Sequence, residues 1–113
     1  MMPDMALQQI IAPQVRNGEL HIVVSKDFDA GAAHREWAPQ LLADFPGPYT
    51  AIIVDCSRCG LLSSTFFAGL MQLYHEYSAR GARRFVLHHP DPRVVRNLSI
   101  LRLHNLFEVV PRP

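Results

Sequence analysis

A mixed α/β sheet covered by helices, opened by an N-terminal β-hairpin, is the fold this sequence predicts. The first observation behind it is Asn17-Gly18, set between Val15 and the apolar-rich run Leu20-His21-Ile22-Val23-Val24. Asn-Gly is the favoured pair for a tight hairpin turn, because both residues tolerate positive φ. The second is a pair of short apolar runs, residues 50–54 and 84–88, each of strand length. The third is that segments of helical periodicity alternate with those runs, an order that gives a mixed sheet with helices packed on it.

Each element follows from local chemistry. Residues 8–16 and 19–25 are the expected hairpin strands, with Pro13 placed at an edge or bulge because it cannot donate a ladder hydrogen bond. Asp29 can cap a helix beginning near Ala30, on which Ala33, Trp37 and Leu41 share one face. Pro39 removes a hydrogen bond from that helix, so a kink or break is expected there, and Phe45-Pro46-Gly47-Pro48 ends it. Thr50-Ala51-Ile52-Ile53-Val54 reads as a central strand buried on both faces. A long helix is expected over residues 64–80, with Phe67, Leu70, Met71, Tyr74 and Tyr77 on its inner side and Gly81 as its stop. Arg84-Phe85-Val86-Leu87-His88 is a further strand. Pro90-Asp91-Pro92 opens a third helix that turns Val94, Val95 and Leu98 inward, and the chain closes with Leu101, Leu103, Leu106, Phe107 and the apolar Val109-Val110.

The 113 residues fit one domain, spanning 1–113, with a real core. Hydrophobic residues at 49% against 19% charged give an ordinary globular balance. A net charge of +1, from 11 basic and 10 acidic residues, supplies no broad attraction to nucleic acid or anionic membrane. Met1 to Asp4 do not begin a secretory signal. The longest uncharged stretch, residues 59–74, is interrupted by Ser63, Ser64, Thr65 and Gln72 and falls short of the ~20 apolar residues that span a bilayer. The expectation is a cytoplasmic protein without membrane insertion, its two cysteines reduced.

Four segments carry a resemblance to a known family. They are Gly18-Glu19-Leu20 with the strand after it, Ile53-Val54-Asp55-Cys56-Ser57, Leu61-Leu62-Ser63-Ser64-Thr65 through Leu70, and Ala79 to Leu87 followed by Pro92-Arg93-Val94-Val95-Arg96-Asn97-Leu98. In that order and spacing, from about Gly18 to Val110, the chain resembles the STAS domain of bacterial anti-sigma factor antagonists and of the cytoplasmic tails of sulfate transporters. The family's long helix opens on Asp-Ser-Ser/Thr-Gly, whose first serine is phosphorylated by a kinase that is also the binding partner. By position that serine is Ser64, while Ser63 stands where the family has Asp and Phe66 where it has Gly.

The resemblance implies a non-enzymatic regulatory protein that needs no cofactor. Ser64 is the implied phosphorylation site, and Ser63, Ser64, Thr65 and Phe66 are the implied partner-binding residues. The implied partner is an anti-sigma factor of the serine-kinase kind. The alternative is an accessory subunit of a membrane transporter of ABC type, for lipid or anion transport, or a non-phosphorylated scaffold. A helix start suits such a switch: its unpaired N–H groups and positive dipole end accept a phosphate, and the phosphate brings about −1.5 to −2 charge to a surface a partner must desolvate. Phe66 falls beside the inner stripe of the helix and could join the core or stand exposed as an anchor.

Other constellations are less specific. Cys56-Ser57-Arg58-Cys59 has the spacing of a redox pair or of half a zinc site, with His88-His89 as further ligands only if the fold brings them near. Six histidines, at 21, 34, 75, 88, 89 and 104, are scattered without a nucleophile–base pattern. Arg80, Arg83, Arg84, Arg93 and Arg96 cluster in sequence and could meet an acidic partner or lie on solvated helix ends.

Overall fold

In the computed structural model, Asn17 and Gly18 take φ values of 52° and 77°, the left-handed pair a primed two-residue turn demands. The turn joins β1 (Ile11–Arg16) to β2 (Glu19–Val24) antiparallel, with Arg16 opposite Glu19 and Ile11 opposite Val24. The structure describes residues 11–25, 28, 35–59 and 64–112. The strand expected over residues 8–10, the cap at Asp29 and the helical position Ala33 lie outside those residues.

Three parallel strands continue the sheet: β3 (Ala51–Asp55) beside β2, β4 (Arg84–His88) beside β3, and β5 (Glu108–Val110) beside β4, in the order β1-β2-β3-β4-β5. The connections carry α1 (Trp37–Asp44), α2 (Ser64–Ala79) and α3 (Pro92–Ile100). Every crossover steps in the same direction along the sheet. Right-handed crossovers that all step one way place their helices on one face. That face is where the core forms, from Leu20, Ile22, Val54 and Leu87 of the strands against Trp37, Leu70, Leu73, Val94 and Leu98 of the helices.

The expectation that β3 is buried on both faces is thereby corrected. Ile53 is only half-buried, and with Gln14, His21, Val23 and Asp55 it lines a groove of about 290 Å³ on the opposite face of the sheet. The apolar run of β3 reflects neighbours on both sides within the sheet plus one helical layer.

The first part of the helix expected from Ala30 lies outside the described residues, and within α1 Pro39 is accommodated without interruption. Among the described residues α1 starts at Trp37, so Pro39 is its third residue, where a backbone N–H would find no intrahelical acceptor. The end of α2 follows expectation. Gly81 adopts φ 109°, Gly81 N–H donates to Ser78 O at 3.1 Å and Ala82 N–H to Tyr77 O at 2.9 Å, the paired bonds of a Schellman stop. Below it, Tyr77 Oη donates to Phe45 O at 2.7 Å and ties α2 to the segment after α1.

At the start of α3, Asp91 accepts the Arg93 N–H at 2.9 Å while Pro92 fills the first helical position. The hydrogen bonds from the Arg93 side chain and amide hold the Asp91 carboxyl down to about 2. Because this value lies below the ordinary ~3.9, the cap's contribution is complete above about 4 and is lost as pH falls through about 2. A carboxyl NMR titration of Asp91 should therefore show a midpoint near 2, and a midpoint near 4 would contradict the cap.

Candidate functional site

α2 begins at Ser64, and the side chains of Ser64 and Thr65 are exposed. Ser63 lies outside the described residues. The next residue behaves differently: Phe66 is 0% exposed. Its ring stacks on Trp37 at 5.1 Å between centroids and 11° between planes, and Phe28 packs edge-on to both at 5.7 and 5.6 Å. Phe66 is a core residue, which corrects its assignment to the partner-binding set. The cause lies one turn further on. A Cβ on Gly69 would sit 2.4 Å from the Trp37 ring, so only glycine lets the indole lie against the α2 backbone. The indole then forms the wall on which Phe66 stacks.

The inner stripe of α2 is thus Phe66, Gly69, Leu70, Leu73 and Tyr77, together with Phe67. It is rotated from the expected stripe, and Met71 and Tyr74 are half-buried at its margin. The spacing 66, 70, 73, 77 was available in the sequence as a signal, but it competes with the equally apolar 67, 70, 71, 74.

Beside the exposed start of α2 runs a groove of about 240 Å³ lined by Ser64, Phe67, Asn97, Ile100 and Leu101. Ile100 is 70% exposed and Leu101 46%. They stand at the end of α3, which closes with Arg102 at φ 60°, Leu103 N–H on Leu98 O at 2.8 Å and Arg102 N–H on Ser99 O at 3.1 Å. That stop fixes where the helix ends and so which side chains it leaves outside. One exposed apolar residue is ordinary, but two adjacent ones rimming a groove with a helix start make a patch of the kind interfaces use. Sequence reasoning missed Ile100 and Leu101, because Val94, Leu98 and Leu101 share an inward helical spacing and the end of the helix was not fixed.

No family model matches the chain and no curated protein matches it. Among solved structures, the crystal structure of TM1081 from Thermotoga maritima, provisionally described as an anti-sigma factor antagonist, is similar over 94% of this chain and 90% of its own, with a TM-score of 0.77 at 17% identity. The solution structure of the protein TM1081 is similar over 89% and 80%, with a TM-score of 0.73 at 18% identity. The fold is STAS-like. At such identity the likeness concerns the path of the chain and assigns no residue a role.

Within the STAS-like fold the remaining constellations separate. Three of the five clustered arginines are paired: Arg80 with Glu76 at 3.4 Å, Arg84 with Glu108 at 2.9 Å and Arg93 with Asp91 at 3.0 Å. They lie after the end of α2, at the start of β4 and at the start of α3. Surface pairs of this kind contribute little to stability. His88 and His89 stack at 3.8 Å, and His21 lies 3.2 Å from Glu19 on β2. Cys56 and Cys59 are buried free thiols. Among the described residues no group of three or more His, Cys, Asp or Glu side chains is placed to hold a metal ion, and no helix is long and apolar enough to cross a membrane.

Proposed function

We propose that this STAS-like chain is a regulatory binding protein of the anti-sigma factor antagonist kind, recognised at the start of α2 and switched by phosphorylation of Ser64. The observation that carries the reading is the shared groove in which the exposed Ser64 meets the exposed Ile100 and Leu101. An apolar rim supplies contact area to a partner, at roughly 25 cal/mol per Å² buried. A hydroxyl at its edge costs little to desolvate. Phosphorylated Ser64 would bring about −1.5 to −2 charge to that edge. The helix start returns only ~0.3–1 kcal/mol of dipole stabilisation, less than desolvating the charge against a partner costs. The modification would therefore release the partner and leave the fold intact. Thr65, exposed beside the acceptor, adds to the polar side of the contact, with Phe66 supporting it from within.

The partner this reading calls for is an anti-sigma factor that is itself a serine kinase. The test mixes the full chain with such a protein from the source cell, with and without ATP. The expected results are phosphate mapped to Ser64 by peptide mass, none on Ser64→Ala, and loss of binding by Ser64→Glu with an unchanged circular dichroism spectrum. Equal binding of wild type and Ser64→Glu would remove the switch. A native pull-down that returns transporter subunits through the same groove would instead favour the accessory role on a permease.

A further inference from the structure

β3 ends at Asp55 and the chain turns at once. Cys56 N–H donates to His88 O at 2.9 Å, which pins the first cysteine to β4. Cys59 N–H donates to Cys56 O at 3.2 Å and closes a four-residue turn over Ser57 and Arg58. A turn of this kind holds its end Cα atoms within about 7 Å, and a disulfide bridges Cα atoms roughly 4.4–6.8 Å apart. The Cys59 thiol is folded back over its partner, with Sγ donating to Cys56 O at 3.2 Å. From β5's end, the Arg112 guanidinium donates to both cysteine carbonyls, at 3.3 Å to Cys56 O and 3.0 Å to Cys59 O. A fixed positive charge therefore stands beside two thiols that share one turn. Both thiols are buried, and the Asp55 carboxylate beside them opposes the pull of Arg112, so reactivity here rests on the shared turn and the guanidinium held against it.

We infer that Cys56 and Cys59 form a dithiol site that exchanges with low-molecular-weight disulfides, Cys59 attacking and Cys56 resolving. The roles follow from position. Both are buried, but Cys59 at 5% exposure is nearer the surface than Cys56 at 0%. The two thiols also differ in acidity. The Cys56 S–H donated to the Cys59 sulfur holds the Cys59 thiol below its ordinary range, with Arg112 acting in the same direction. The same bond, together with burial, pushes the Cys56 thiol up.

In the first step the Cys59 thiolate attacks one sulfur of a disulfide such as oxidised glutathione. The glutathione S–S bond breaks, one glutathione leaves as a thiolate, and Cys59 carries the other as a mixed disulfide. In the second step Cys56 gives its proton to water and attacks Cys59 Sγ. The second glutathione leaves as a thiolate and the Cys56–Cys59 bond forms. Two protein thiols lose two electrons and two protons, and oxidised glutathione gains them as two thiols. This site stands apart from the reading of Ser64, although Cys59 is only five residues before it in the chain.

The test treats the full native chain with oxidised glutathione at mildly alkaline pH, followed by intact mass and peptide mapping. The expected product has lost both titratable thiols, is two hydrogens lighter, and yields a peptide linking Cys56 to Cys59. Cys56→Ser should accumulate one glutathione on Cys59, and Cys59→Ser should leave Cys56 unmodified. If either variant is unfolded by circular dichroism, brief iodoacetamide labelling of the wild type decides the order, with Cys59 expected to react first. The proposal is overturned if the native chain keeps both thiols while the urea-unfolded chain forms the bond, if glutathione accumulates without ring closure, or if Cys56 is labelled first.

Discussion

Phe66→Ala is expected to lower folding stability by about 3–5 kcal/mol, the range for deleting a large buried aromatic side chain. The ring is 0% exposed and stacks on Trp37, with Phe28 edge-on to both. Removing it empties one side of an aromatic cluster whose other members are held by different elements, so the site cannot collapse cheaply. Urea denaturation followed by the fluorescence of Trp37, the single tryptophan, reports the loss and the local environment together. A change below about 1 kcal/mol would mean that Phe66 is a surface residue after all.

Gly69→Ala is the second large effect, and its sign is the informative part. In an exposed helix, replacing glycine with alanine stabilises by about 1 kcal/mol. Here the new Cβ would sit 2.4–2.5 Å from three atoms of the Trp37 indole, which is rigid, buried and unable to swing aside. Overpacking of this kind costs about 1–3 kcal/mol and sometimes more. The net expectation is destabilisation, read as a lower urea midpoint with an unchanged slope. In a Trp37→Leu background the clash is relieved and the same substitution should become neutral or stabilising. The double-mutant cycle isolates the contact. Additive behaviour in the cycle would show that the two positions do not touch.

These two residues also mark where the sequence stopped being informative. Features set by a few neighbouring residues were legible: the Asn17-Gly18 turn, the Gly81 stop, the Asp91-Pro92 start, and the order of strands and helices between them. Features set by distant packing were not. The placement of the three described helices on one face follows from the direction of the crossovers, which no local pattern encodes. β5 is three residues long, too short for alternation to register. Phe66 and Phe67 are adjacent and equally apolar, and the choice between them as neighbour of α1 depends on Trp37 lying over Gly69. At the candidate site, Ser64 was legible from its position at a helix start. Ile100 and Leu101 were not, because their exposure depends on where α3 ends against the rest of the fold.

The most direct test of the account is the affinity of a serine-kinase anti-sigma factor of the source cell for three forms of the chain: wild type, Ile100→Asp and Val15→Asp. Both substitutions place a charge on an exposed apolar residue, Ile100 at 70% and Val15 at 49%, so neither should disturb the core. Ile100 borders Ser64, whereas Val15 lies in β1 opposite Leu20, near the other end of the sheet. The account predicts that Ile100→Asp weakens binding at least about thirtyfold, about 2 kcal/mol and thus a hot spot, while Val15→Asp binds like wild type. Unchanged binding by Ile100→Asp, with or without a loss in Val15→Asp, would contradict recognition at the Ser64 end of α2.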